Sequence, residues 1–190
     1  MSQPVARAVA PEVFPMAPLI RFTLIGLYLA LVLPLPALAP PHLQPWLLLA
    51  LPIGLALVMA LTSERVVLDG EGIHVGHPTW CRWLLRRGWQ LNWDAITGLT
   101  PVATSQGGRV FYVRTAAAAY LLPQRVSQFP QFLERFQAAT GLNTQDIGRI
   151  SPAWTYQLLA GLCALMLACE VAAAWALATG RWDFPPVVAG

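Results

Sequence analysis

The sequence predicts an α+β membrane protein: three transmembrane helices and an inserted antiparallel β domain closed by one C-terminal helix. Three observations carry that prediction. Apolar residues make up 56% of the 190 positions, and charged residues only 11%, against about 25% in ordinary soluble domains. Fifteen of the twenty-one charged residues lie within 64–149, so the flanks are nearly charge-free, as membrane segments around one polar domain would be. Between the flanks the apolar pattern turns from continuous runs to period two and then to a helical period.

Residues 1–18 carry Pro4, Pro11, Pro15 and Pro18 without clear periodicity and are expected to form a loose tail. FTLIGLYLALVLPLPAL, from Phe22 to Leu38, is uncharged, and so is WLLLALPIGLALVMALT, from Trp46 to Thr62. Each is near the minimum of about 17 residues for a spanning helix. The short link APPHLQP makes them an antiparallel hairpin over 19–62. Residues 22–39 also match a signal-peptide core with Ala37-Leu38-Ala39 as a cleavage box. Pro40 opposes cleavage there, and a second span follows at once, so the segment is expected to stay. A third span is expected over 152–180, with Trp154 and Tyr156 near one end and Trp175 and Trp182 near the other, as interfacial belts require. A short tail, 181–190, follows.

The domain is expected over 63–149. Arg65-Val66-Val67-Leu68, the turn Asp69-Gly70-Glu71-Gly72 and Ile73-His74-Val75-Gly76 read as strand, turn, strand. Trp89 to Trp93 alternates as a half-buried strand does. Further strands are expected at Ile96–Val102, at Arg109–Arg114 after the Gly107-Gly108 turn, and at Tyr120–Leu122. Phe129, Phe132, Leu133 and Phe136 then follow i, i+3, i+4, i+7, with Ser127 as N-cap and Gly141 as stop.

Strands first and one closing helix last is the order of the pleckstrin-homology superfold. The chain resembles membrane-anchored bacterial proteins with such domains in Glu64–Gly76, Trp93-Asp94-Ala95-Ile96, Tyr120-Leu121-Leu122-Pro123 and the Phe-rich helix ending in Thr140-Gly141-Leu142. That resemblance covers about 64–148 and implies a PH-like domain. The hairpin-then-domain order is similar to the photosystem I assembly factors of oxygenic phototrophs, which implies a scaffold, assembly-factor or accessory-subunit role. The third span departs from those two-span factors. The whole chain also resembles uncharacterised cyanobacterial membrane proteins with Gly-Trp…Trp and Tyr-Leu-Leu-Pro segments, so a thylakoid or a plasma membrane is implied.

Enzyme chemistry finds little support. There is no G-x-S-x-G, P-loop, H-E-x-x-H or G-x-G-x-x-G. His74, His77 and Cys81 form H-x2-H-x3-C, but no fourth ligand is near, and they are read as structural or surface residues. Asp94 after Trp93 reads as a turn or cap residue. Three cysteines with no metal-type spacing suggest neither a disulfide framework nor a metal site. No cofactor is expected. The formal charge of +3 is too small for a nucleic-acid binder.

The segment Trp80 to Trp89 is the most informative. Arg82, Arg86 and Arg87 interleave with Trp80, Trp83 and Trp89. Indoles favour the headgroup level, and Arg keeps its charge wet while burying its stem. Two readings stand: contact with the bilayer or a membrane partner, or a hairpin whose indoles enter the domain core. Glu170, the one ionisable residue inside the third span, marks an intramembrane contact or a span that ends early. Nine Arg lie between spans two and three and none between spans one and two. The N-terminus and the domain are therefore expected in the cytoplasm, the hairpin loop and C-terminus outside. The function expected is non-enzymatic, in a complex with another membrane protein; the alternative is a lipid- or small-molecule-binding regulator.

Overall fold

A strand before the hairpin pairs with a strand after it. The computed structural model describes residues 10–85, 88–105, 107–148 and 152–181. β1 (Glu12–Pro15) lies antiparallel to β2 (Arg65–Leu68), Glu12 opposite Leu68 and Pro15 opposite Arg65. The loose tail expected over 1–18 therefore does not extend through residues 12–15. Val13 and Phe14 supply a short alternating pattern, and Phe14 is almost fully buried. Pro15 is tolerated because β1 is the outermost strand of its sheet.

β2 continues through the Asp69–Gly72 turn into β3 (Gly72–Gly76), which pairs with β4 (Trp89–Asn92). These four antiparallel strands stand in sequence order. A 3-10 turn, Trp93–Ala95, leads to a second antiparallel sheet of β5 (Gly98–Ala103), β6 (Arg109–Arg114) and β7 (Ala119–Leu121). β5 begins two residues later than the sequence suggests, because Ile96 still closes the 3-10 turn through its N–H to the Trp93 carbonyl.

Alternation sets the core. Val66, Leu68, Ile73, Val75 and Leu91 face inward from the first sheet, Phe111 and Val113 from the second. The helix Phe129–Thr140, numbered α4 in chain order, closes the core with Phe129, Phe132, Leu133 and Phe136, all buried. Phe14 meets Phe132 edge-on at 5.7 Å between ring centroids, and Trp93 meets Phe136 at 5.9 Å. Ser127 is not the N-cap. Its N–H bonds the Pro15 carbonyl at 2.7 Å, and Gln128 caps the helix in a left-handed conformation with φ 49°. Gly141 ends it at φ 71°, where a side chain would be strained.

Three chain junctions gather beside residues 124–126. The Ala17 N–H donates to the Arg125 carbonyl at 2.8 Å, the Met16 N–H to the Glu64 carbonyl at 3.2 Å, and the Gln124 side-chain amide to the Gly148 carbonyl at 2.7 Å. The strands and α4 form one unit with the residues up to Arg21.

The second unit holds the apolar helices. α1 (Pro18–Val32) breaks before Pro34 and resumes as the short α2 (Leu35–Leu38). α3 covers Gln44–Leu61 and α5 Ala153–Ala178. Three stretches, Pro18–Leu38, Gln44–Leu61 and Ala153–Ala178, are long and apolar enough to cross a membrane. Tyr28 on α1 donates its hydroxyl to the Leu51 carbonyl on α3 at 2.7 Å. Its ring lies where a Cβ at Gly54 would stand, so only glycine admits this contact. Gly26 faces Cys163 on α5, where an added Cβ would find the thiol's Cβ at 3.7 Å.

Phe14 and Phe136 belong to one core despite their separation in sequence. Phe14→Ala and Phe136→Ala should each destabilise the β domain by about 3–5 kcal/mol, read as loss of near-UV circular dichroism on heating the full chain in detergent. An unchanged transition for Phe14→Ala would remove β1 from the core.

Candidate functional site

The segment between β3 and β4 is a tight turn that sorts its side chains. The N–H groups of Cys81 and Arg82 both donate to the Pro78 carbonyl, at 3.2 and 3.1 Å, and those of Leu84 and Leu85 to the Cys81 carbonyl, at 3.0 and 3.2 Å. This helical winding puts Trp80, Trp83 and Leu84 on one side, at i, i+3 and i+4. They are 54%, 81% and 52% exposed. Trp83 donates its indole N–H to the Trp80 carbonyl at 2.9 Å, which fixes the ring without burying it. Arg82 is also exposed. Cys81 turns the other way and is buried.

Cys81 anchors the turn. Its sulfur lies 3.3 Å from the Ser63 hydroxyl, which also donates to the Ala60 carbonyl at 2.6 Å. Ser63 is two residues past the end of α3. The exposed indoles are therefore tied to the chain just where a candidate span stops.

The two readings of the Trp80–Trp89 segment divide between its ends. Trp80 and Trp83 stay outside the core. Trp89 packs against it and meets Tyr120 at 5.2 Å between centroids. Arg86 and Arg87 lie outside the described residues. Glu170 is in the other unit, on α5, which continues eight residues beyond it. It shares the face of Cys163, two turns earlier, and its Oε2 is enclosed with no hydrogen-bond partner among the described residues.

A cleft of about 820 Å³ lies between the turn and the outer face of β2–β4. Arg65, His74, His77, Arg82 and Trp83 are among its lining residues. Sequence reasoning missed Arg65 and the link from Cys81 to Ser63. Strand alternation could have found Arg65, since it puts Val66 and Leu68 inward and Arg65 outward. The Cys81 contact has no local signal, because eighteen residues separate the partners.

His74, His77 and Cys81 are not drawn together. His74 Nε2 pairs with Asp69 Oδ2 at 2.8 Å, Cys81 rests on Ser63, and no group of three potential metal ligands forms among the described residues. Asp94 sits in the 3-10 turn, exposed and in its first position but one.

Asp69 organises the β2–β3 turn. Its Oδ1 accepts the N–H groups of Gly72 at 2.8 Å and Glu71 at 2.9 Å. The Gly72 bond, opposed by desolvation and helped by the Glu71 N–H and by His74, holds the carboxyl below its ordinary 3.8. A depressed carboxyl stabilises the fold above its unfolded value and loses that contribution as pH falls through the folded one. An NMR titration should therefore give Asp69 a midpoint below 3.8, with the Glu71 and Gly72 amides shifting together. His74→Gln should move that midpoint upward; no movement would mean that the imidazole adds nothing.

No family model matches the chain, and no solved structure matches it. Among curated proteins, the uncharacterised protein slr0269 of Synechocystis sp. is 42% identical over 184 residues, covering 93% of this chain and 90% of the relative. Identity at that level over nearly the full length of both places this chain in the same family as that cyanobacterial protein.

Proposed function

We propose that the chain is a non-enzymatic integral membrane protein whose PH-like domain docks another membrane protein, as scaffold, assembly factor or accessory subunit. The observation that carries this reading is the exposed Trp80–Trp83–Leu84 face, pinned through Cys81 and Ser63 to the end of α3. Exposed aromatic residues held in a fixed geometry are typical anchors of protein interfaces, and an apolar patch kept out of the core implies an occupant. The PH-like reading is supported by the chain order: four antiparallel strands, then three, then one helix over a common core. A cyanobacterial relative supports a thylakoid or plasma membrane, and the Arg distribution supports a cytoplasmic domain.

Mild-detergent purification of the tagged full chain should bring down a membrane protein in stoichiometric amount. Trp80→Ala with Trp83→Ala should remove it at unchanged expression and melting, since both rings lie outside the core. Retention of the partner would move the interface elsewhere. Orientation has its own test. Single cysteines placed at His42 and Gly107 in a Cys-free background should label from opposite sides of the membrane. Labelling of both from one side would overturn the three-span reading.

A further inference from the structure

We propose that the face of α5 carrying Glu170 receives a transmembrane helix of the partner, one that brings a lysine or arginine to the depth of that carboxylate. The inference rests on the reading that the chain docks another membrane protein, and it names what the partner must carry within the bilayer. Two contacts show that α1 and α5 run in the same direction. The Thr23 hydroxyl donates to the Tyr156 carbonyl at 3.5 Å, and Gly26 faces Cys163, which is buried there. Glu170 shares the face of Cys163 two turns further on, and equal rise along both helices brings it to the level of Leu33. By then α1 has stopped at Val32, and Pro34 has no N–H with which to continue it. The face opens at that level. Met166, four residues before Glu170, and Leu177, seven after, are 40% and 39% exposed.

Within the chain, nothing described neutralises the carboxylate. Its Oε2 is enclosed with no hydrogen-bond partner among the described residues. The stretch from Phe22 to Leu61 holds no Lys or Arg, and Tyr28 and Gln44 spend their donors on the Leu51 and Ala39 carbonyls. Arg181, past the end of α5, lies over the Trp175 ring at 4.6 Å. Since α5 continues for eight residues beyond Glu170, about 12 Å, the carboxylate sits inside the apolar layer. An ionised side chain there is costly without a partner. A lysine or arginine in a neighbouring span carries the same cost. Paired, each supplies the opposite charge and the strong hydrogen bond that the other lacks. A helix without the cation would leave the carboxylate orphaned, so the contact selects by one residue at one depth. Ala173 and Ala174, one turn beyond Glu170, are small enough to let a second helix approach closely.

Energy transfer in vesicles tests the proposal. The full chain, carrying a donor dye at its C-terminus, is reconstituted with an acceptor-labelled polyleucine helix of about 20 residues that bears one lysine at the depth of Glu170. This helix should associate about tenfold more tightly than its all-leucine counterpart. Glu170→Gln, which keeps the shape and removes the charge, should abolish the excess at an unchanged thermal transition. A lysine moved to the opposite end of the helix should gain nothing. Equal association of the lysine and all-leucine helices, or an excess that survives Glu170→Gln, would overturn the site. Energy transfer between two copies of the chain, undiminished by the lysine helix, would overturn the choice of partner and assign the face to a second copy. The vesicles hold no other protein, so the two readings fail separately. Without a docking partner no membrane protein co-purifies while the lysine helix still binds; without the intramembrane pair, Trp80→Ala with Trp83→Ala still releases the partner.

Discussion

The pairing of β1 with β2 is the constraint on which the domain depends. Between Pro15 and Arg65 the chain leaves the sheet, forms the apolar helices α1, α2 and α3, and returns opposite the residue it left. The ends of the excursion are held by the ladder itself and by the Met16–Glu64 bond. A flexible insertion of that length would pay closure entropy, but helices joined by a short link return the chain close to its start. Without β1, the β2 edge would lie open and the core would lose Phe14, whose ring sits against Phe132. A segment beginning at Glu64 is thus an incomplete domain, and binding work belongs to the full chain.

The same logic governs the exposed turn. Cys81 is the only side chain of Trp80–Leu84 that is buried, and its sulfur lies against Ser63 rather than against the main core. The winding from Pro78 to Leu85 then leaves Trp80, Trp83 and Leu84 no route inward. Trp89, one strand away, follows the period-two pattern of β4 and reaches the core's margin beside Tyr120. A run of alternating Arg and Trp therefore contains two structural classes, separated by the change from turn to strand.

Much of this was legible from sequence. The three apolar stretches, the β2–β3 hairpin and the Phe-rich helix each announce themselves through local period and turn chemistry. Phe129, Phe132, Leu133 and Phe136 are buried as their spacing requires. Three features were not legible, each because it depends on distant partners. Glu12–Pro15 is too short to show a period, and its strand state comes from a mate about fifty residues away. Ser127 has the right side chain for a cap, but its backbone is claimed by Pro15. The exposure of Trp83 was invisible because an indole suits both a core and an interface; only the anchoring of Cys81 decides between them.

Tethering the Trp80–Trp83 face to the end of α3 also changes how strong its contacts must be. On the proposed reading, a partner in the same bilayer meets this face in two dimensions, already oriented. Once a first contact forms, short tethers give effective concentrations on the order of millimolar. Two exposed indoles and a leucine then suffice to fix a partner whose apolar helices already lie alongside. Avidity within the membrane then does what a larger interface would otherwise have to do.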